Sequence, residues 1–415
     1  MDNPVLQKPL FQTYSLNYME EFKCIGSECE DSCCVGWTIP LNKQVVKKYK
    51  GSSDPEIREK AKNSIKKGKS LNRPDQFGVI PLADGEPCPF LDGCGLCSIQ
   101  TKLGEDSLSK TCNTFPRKLL AFPDNEFIAA TLACPETARL CLSSKSAADL
   151  NVRHLPRAET PVGHAKYHFL VAKDSNFTDT SGQILQAFFN LIDDESLDLA
   201  AKSACLSLFV EELVKSDQGL DFIDFLKSTN PIKGLAQQVS GAIPEAKAAL
   251  LQYQFMKKLL LDPNHPIELG KSKMLNLIYE SCRGLKYYDK DLAQSVGTFL
   301  AAKKDLYEPF LSEHPYVWGN ILKNDLISNP EIMALGNSES REVLEAAVSR
   351  LSIIKFLFIA QAGYKGTKPR LEDLARVVTV VRRFLDHSSQ RLEKFRGAIR
   401  EIDQSSTVVN ALLLL

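Results

Sequence analysis

The sequence predicts a mainly α-helical protein in which an irregular, cysteine-rich, metal-binding N-terminal module is docked on a multi-helix domain. Three observations predict it. Ten of the twelve cysteines lie before residue 142. Pro, Gly and Asp crowd the same region and break it into loops and short strands. Beyond it, apolar residues recur at helical spacing almost to the end. The chain therefore divides into a cysteine-rich part, residues 1–150, and a helical part, residues 151–415. Its 415 residues suffice for a sizeable core.

The elements follow in chain order. "LNKQVVKKYKGSSDPEIREKAKNSIKKGKSLNR", residues 41–73, holds eleven Lys/Arg against three Asp/Glu. It reads as a solvated helical insertion or as a surface for an acidic partner or an anionic lipid. "QFGVIPL" reads as a short strand before a turn at Asp84-Gly85, and "DNEFIAATLAC" is apolar but ambiguous in type. "CPETARLCLSS" places Pro135 at a helix N1 position, where its missing N–H is harmless. Residues 151–166, "NVRHLPRAETPVGHAK", read as a linker. "SGQILQAFFNLI", "SACLSLFVEELV", "AKAALLQYQFMKKLLL" and "SKMLNLIYESC" then read as helices. Leu344, Ala347, Val348, Leu351, Ile354 and Phe358 mark a further one, and Leu371, Leu374, Val378, Val381, Leu385, Leu392 and Phe395 a last.

Composition excludes several classes. Formal net charge is zero, so bulk charge favours no nucleic acid partner. "MDNPVLQKPLFQ" lacks the basic and apolar regions of a secretion signal, and no apolar run is long enough to span a bilayer. The apolar end, "VVNALLLL", reads as a packed last turn or a membrane-surface contact. A cytoplasmic location is expected. There disulfides have little use, so clustered cysteine points to metal.

The first cluster, Cys24, Cys29, Cys33 and Cys34, spaces as C-x4-C-x3-C-C; Cys88, Cys94 and Cys97 space as C-x5-C-x2-C; Cys112 and Cys134 follow singly. The first histidine is His154, so a mixed Cys/His zinc finger is not expected. All-sulfur sites remain, zinc or iron–sulfur. Side chains alternate along an extended chain, so Cys33 and Cys34 are expected to face different ways. Cys24, Cys29, Cys33, Cys34, Cys88, Cys97, Cys112 and Cys134 make eight candidate ligands, enough for two four-ligand centres or for one centre with spare thiols. Cys141, Cys205 and Cys282 read as buried core thiols. Tyr14, Tyr18 and Trp37 flank the first cluster and read as packing on the metal module, or as lining a channel. His154, His164 and His168 read as solvent-facing or capping groups.

"FKCIGSECEDSCCVGWTI", "CPFLDGCGLCSIQTKLGEDSLSKTC", "FPR" (115–117) and "CPETAR" together resemble the flagellin lysine N-methylase family, the FliB type. "HPYVWGNILKN", residues 314–324, resembles a family segment centred on an Asn, here Asn320. The resemblance implies a cytoplasmic enzyme that methylates surface lysines of flagellin, with S-adenosylmethionine as donor and a 4Fe-4S cluster whose ligands would come from the eight cysteines above. Cys94 is extra to the family wording. Peripheral membrane association and a homo-oligomer are further expectations. No glycine-rich cradle after a strand and no C-x3-C-x2-C signature is present, since position 36 is Gly. No catalytic base and no donor-binding residue is assigned, and the chemistry is expected where the two parts meet. The contrasting reading is a non-catalytic zinc- or iron-binding interaction scaffold, or a redox sensor.

Overall fold

The computed structural model describes residues 10–68, 76–83, 85–121, 125–156, 181–215, 233–234, 237–238, 244–261, 273–287, 291–333 and 339–386. The chain opens with β1 (Leu10–Leu16) and the single turn α1 (Tyr18–Glu21). A small excursion follows: β2 (Ile39–Leu41), α2 (Lys43–Lys50), α3 (Pro55–Ser64), β3 (Lys66–Lys67), β4 (Gly78–Ile80), α4 (Ser98–Leu103) and α5 (Lys110–Thr114). Next come β5 (Arg117–Ala121), β6 (Asn125–Ala130), α6 (Pro135–Leu142) and β7 (Leu150–Pro156). The rest is helical: α7 (Ser181–Ile192), α8 (Leu199–Lys215), α9 (Glu245–Leu261), α10 (Lys273–Gly284), α11 (Leu292–Ala302), α12 (Glu308–Glu313), α13 (Val317–Ile327), α14 (Glu339–Lys365) and α15 (Leu371–Asp386).

Two sheets form. In the larger, ordered β5-β6-β1-β7, β1 runs parallel to β6 and antiparallel to β7, and β5 is antiparallel to β6. Tyr14 pairs with Phe127 in register and stacks on its ring at 5.1 Å. The smaller sheet is ordered β2-β4-β3. "QFGVIPL" contributes β4, as its pattern suggested, and "NEFIAA" from the ambiguous stretch is β6. The expected linker differs: its first six residues complete β7, paired along all of β1. His154 lies in that strand, exposed, whereas residues 157–166, His164, His168, Leu392, Phe395 and the apolar end lie outside the described residues.

Burial falls into two main clusters. One gathers β2, α2, α3 and the start of α4 around Ile39, Tyr49, Ile57, Phe90 and Ile99. The lysine-rich stretch therefore supplies core as well as surface. Asn42 and Asp54 cap α2 and α3 by accepting from the backbone of Val45 and Ile57, each at 2.9 Å. Val46 and Ile57 turn inward, and Lys43, Lys47, Lys48, Lys62, Lys66 and Lys67 stay exposed.

The larger cluster joins β1, α1, β6 and α6 to the helices. Its centre is α14, buried around its whole circumference from Ala346 to Ala362, as befits a helix surrounded by others. Tyr14 and Tyr18 belong to this body and not to the cysteine-rich region; the Tyr18 hydroxyl donates to Asn324 Oδ1 at 2.6 Å. Cys141, Cys205 and Cys282 are buried in it as core thiols. Among the described residues, no helix is long and apolar enough to cross a membrane.

Helix α13 pins the body together with buried polar groups. Asn320 Nδ2 donates to the carbonyls of Cys141 and Ser144, each at 2.8 Å, tying down the end of α6. Asp325 meets Arg382 and, at 3.5 Å, Arg350. Asn320→Ala orphans both carbonyls and should destabilise the protein by about 2 kcal/mol or more, read from denaturant midpoints.

Lys355, buried in α14, is drawn down to about 7 by burial and then by Lys303. The unfolded chain holds that proton up to about pH 10.4. Between these values the unfolded state binds more protons, so the wild type gains stability as pH rises. Lys355→Met should compare best with wild type below pH 7 and progressively worse by pH 9.5. A stability difference independent of pH would contradict this.

Candidate metal centre

The candidate centre is built from the crowded loop after α1. Gly26 and Gly36 take positive φ values of 55° and 80°, a conformation that favours glycine. Between them the backbone is tied at nearly every residue. The Cys29 N–H donates to the Gly26 carbonyl at 3.2 Å, and the Cys34 N–H to Ser32 Oγ at 3.2 Å. Trp37 Nε1 donates to the Cys33 carbonyl at 2.6 Å, and Cys88 N–H donates to the Cys34 carbonyl at 2.7 Å. The last bond joins the first cysteine segment to the second.

Residues 33 and 34 sit in a turn. Strand alternation therefore does not apply to them, and the expected divergence is not what forms. Both residues line one cavity, and the neighbouring Cys34 thiol, followed by burial, raises the Cys33 pKa. Trp37 packs in this region as expected, its ring 6.0 Å from that of Phe115.

The other thiols arrive on short helices. Asp92 Oδ1 accepts from the N–H groups of Cys94 and Leu96, and Gly95 has φ 78°. This is the turn that "DGCGL" encodes, and it leads Cys97 to the residue before α4. Ser109 caps α5 by accepting from Cys112 N–H at 3.1 Å, so Cys112 sits in its first turn. Cys134 immediately precedes Pro135 at the start of α6. Helix starts are positive and favour thiolate. Burial opposes it. It raises Cys29 and Cys88, pushes Cys112 up to about 12 and Cys134 up to about 11.

All eight candidate ligands, Cys24, Cys29, Cys33, Cys34, Cys88, Cys97, Cys112 and Cys134, line a single cavity of about 210 Å³. Cys94 is exposed and does not line it. Phe22, Trp37, Phe90 and Phe115 give the cavity aromatic walls, and Arg117 lies 4.8 Å from the Phe22 ring. The cavity lies at the seam of the two cores: Ile39, Tyr49 and Phe90 come from the small one, and Cys134, Pro135 and Glu136 from the start of α6.

As a donor set this fits a soft, thiolate-seeking group such as zinc or an iron–sulfur cluster. The sulfurs stand around the cavity: among the described residues, no three Cys, His, Asp or Glu are gathered as a ready ion site.

One feature has no counterpart in local sequence pattern. Arg383 of α15 donates through Nε to the Ala133 carbonyl at 2.8 Å, and through Nη2 to the Asp31 carbonyl at 2.6 Å. Its Nη1 pairs with Asp31 Oδ1 at 2.6 Å, and Lys273 Nζ meets the same oxygen at 2.7 Å. Arg383 lies 352 residues from Asp31 and 250 from Ala133, so only the fold reveals these partners.

Fold and site together define a mostly helical protein with a thiol-lined cavity between two cores. The FliB lysine N-methylase C-terminal domain matches residues 186–414, and the chain belongs to that family. It is 40% identical over 132 residues to the flagellar biosynthetic protein FliU of Salmonella muenchen, covering 31% of this chain and 76% of FliU. It is likewise 40% identical over 136 residues to a lysine-N-methylase of Salmonella typhimurium, covering 32% of this chain and 33% of that protein. The match thus spans about a third of that relative's length. No solved structure matches the chain.

Thiol accessibility checks the geometry directly. In reduced, chelator-treated protein, maleimide labelling followed by mass spectrometry should modify Cys24 and Cys94 first and Cys141 and Cys205 last. Early labelling of Cys141 would contradict the fold of α6 against α13.

Proposed function

We propose that this protein transfers a methyl group from S-adenosylmethionine to surface lysines of flagellin and that it depends on an iron–sulfur cluster held in the thiol-lined cavity. The single observation that carries the reading is the convergence of eight cysteines, from four separate stretches of chain, on one cavity in a member of the FliB lysine N-methylase family. The substrate is proposed from the names of the relatives, a lysine-N-methylase and a flagellar biosynthetic protein.

Under this reading Cys24, Cys29, Cys33, Cys34, Cys88, Cys97, Cys112 and Cys134 hold the cluster in one or two centres. Bound there, a cluster with an open iron would offer an electron or a coordination site to the donor. The chain's own contribution is the apolar, aromatic lining. A lysine is charged at neutral pH and must lose a proton before its amine can attack. Desolvation among Phe22, Trp37 and Phe115 favours the neutral amine. In direct displacement that amine forms the new N–C bond as the methyl's bond to the sulfonium sulfur breaks, and S-adenosylhomocysteine leaves. The second reading, a non-catalytic metal scaffold or redox sensor, is favoured by the eight cysteines that share the cavity.

The deciding experiment is anaerobic purification with iron, zinc and sulfide analysis, followed by methyl transfer from labelled S-adenosylmethionine to flagellin. Brown protein with iron and acid-labile sulfide, and label on flagellin lysines, is the expected result. Stoichiometric zinc without turnover would turn the assignment to the scaffold. Within the same assay, Cys112→Ser should lose most of the iron and at least tenfold in activity. Cys94→Ser should retain both.

A further inference from the structure

We propose that Arg383 is the positioning residue of the thiol-lined cavity, the group through which the C-terminal family domain sets the distance between the Cys29–Cys34 loop and Cys134. The inference rests on the functional reading above only for the identity of what the cavity holds; the positioning itself stands on contacts.

The geometry is specific. Two ligand-bearing segments, one after α1 and one before α6, approach the cavity from different parts of the chain. A single guanidinium lies between them. It takes the Ala133 carbonyl on one side, next to Cys134, at 2.8 Å. On the other side it takes the Asp31 carbonyl at 2.6 Å and the Ser32 carbonyl at 3.4 Å, both between Cys29 and Cys33. The carboxylate of Asp31 closes the fork at 2.6 Å. A planar group with donors in fixed directions can hold several acceptors at fixed separations; an ammonium on a flexible stem cannot. The Asp31 carbonyl also accepts from Cys29 Sγ at 3.4 Å, so the guanidinium is one atom removed from a candidate ligand.

One other contact joins the loop to α6, the Arg139–Glu30 ion pair at 2.7 Å, but the Glu30 side chain is 60% exposed. Lys273 also reaches Asp31 Oδ1, but its side chain is 61% exposed and it touches neither carbonyl. Arg383 is 18% exposed and sits where α15 packs on α6. The helix is anchored independently by its neighbour Arg382, which pairs with Asp325 of α13. Changing residue 383 therefore removes the fork that holds both backbone segments while the helix keeps its own anchor.

The test uses the full chain with Arg383→Gln and Arg383→Lys. In chelator-treated protein, amide hydrogen exchange over residues 26–34 should quicken at least tenfold in the Gln variant. Exchange over residues 346–362 of α14 should stay as in wild type. After anaerobic reconstitution with ferrous iron and sulfide, the Gln variant should retain half the wild-type iron or less. The Lys variant should fall between, because it keeps the charge on Asp31 but not the fork. Unchanged exchange in the loop would overturn the positioning role, as would equal acceleration throughout α14 and α15, which marks loss of the helix instead. A wild-type protein that takes up neither iron nor zinc would defeat the metal reading alone, and the exchange comparison would still decide for or against Arg383.

Discussion

The parallel pairing of β1 with β6 is the constraint on which the site depends. Parallel strands end on the same side of a sheet. The residues after Leu16 and those after Ala130 therefore leave the sheet together, although more than a hundred residues separate them. The first exit leads to Cys24, Cys29, Cys33 and Cys34, and the second to Cys134. Everything between must fold as an excursion that returns, and it does so around its own core of Ile39, Tyr49, Ile57 and Phe90. That excursion carries Cys88, Cys97 and Cys112 back to the same place. Strand β7 then seals β1 on its other side, so this register cannot slip without breaking two pairings at once.

The second constraint is electrostatic. A cavity with aromatic walls disfavours charge, and the thiols there respond as buried acids do, with burial the leading cause at Cys29, Cys88, Cys112 and Cys134. Metal ligation asks for the opposite state, thiolate. A cation bound at the cavity's centre would favour that state. An apolar wall is thus compatible with a thiolate site only when a positive group completes it. The same wall that keeps an uncompensated thiol protonated would keep a completed centre dry.

Much of the helical body was legible because periodicity is a local signal. Leu344, Ala347, Val348, Leu351, Ile354 and Phe358 are all buried in α14, and Pro135 begins α6. The cysteine set was legible as composition and order, and Cys94 was separable from it. What escaped depended on partners distant in sequence. "NVRHLP" has polar residues and an ending in proline, which read as linker; it is strand only because β1 lies beside it. Tyr14 and Tyr18 stand close to the cysteines in the chain but turn into the other core, through Phe127 and Asn324. Cys33 and Cys34 were misjudged from strand geometry because nothing local announced the turn. Asp31 and Arg383 carried no signal at all, being single charged residues in ordinary surroundings.

These features bear on why the family domain and the cysteine-rich region occur in one chain. The small core alone holds Cys88, and Cys34, Cys97 and Cys112 pack against it, which is a partial set. Cys134 belongs to a helix of the body, and the loop with Cys29 and Cys33 is fastened to α10 and α15 through Asp31. Neither half encloses the cavity without the other. A centre assembled across such a seam would exist only when both halves are folded and in contact. That ties the candidate chemistry to the integrity of the helical body, even though the eight candidate ligands all lie in the first third of the sequence. It also explains how a helical domain with no glycine-rich cofactor loop among its described elements can still take part in the site: its role there is to supply a helix start, a fork of hydrogen-bond donors and one wall.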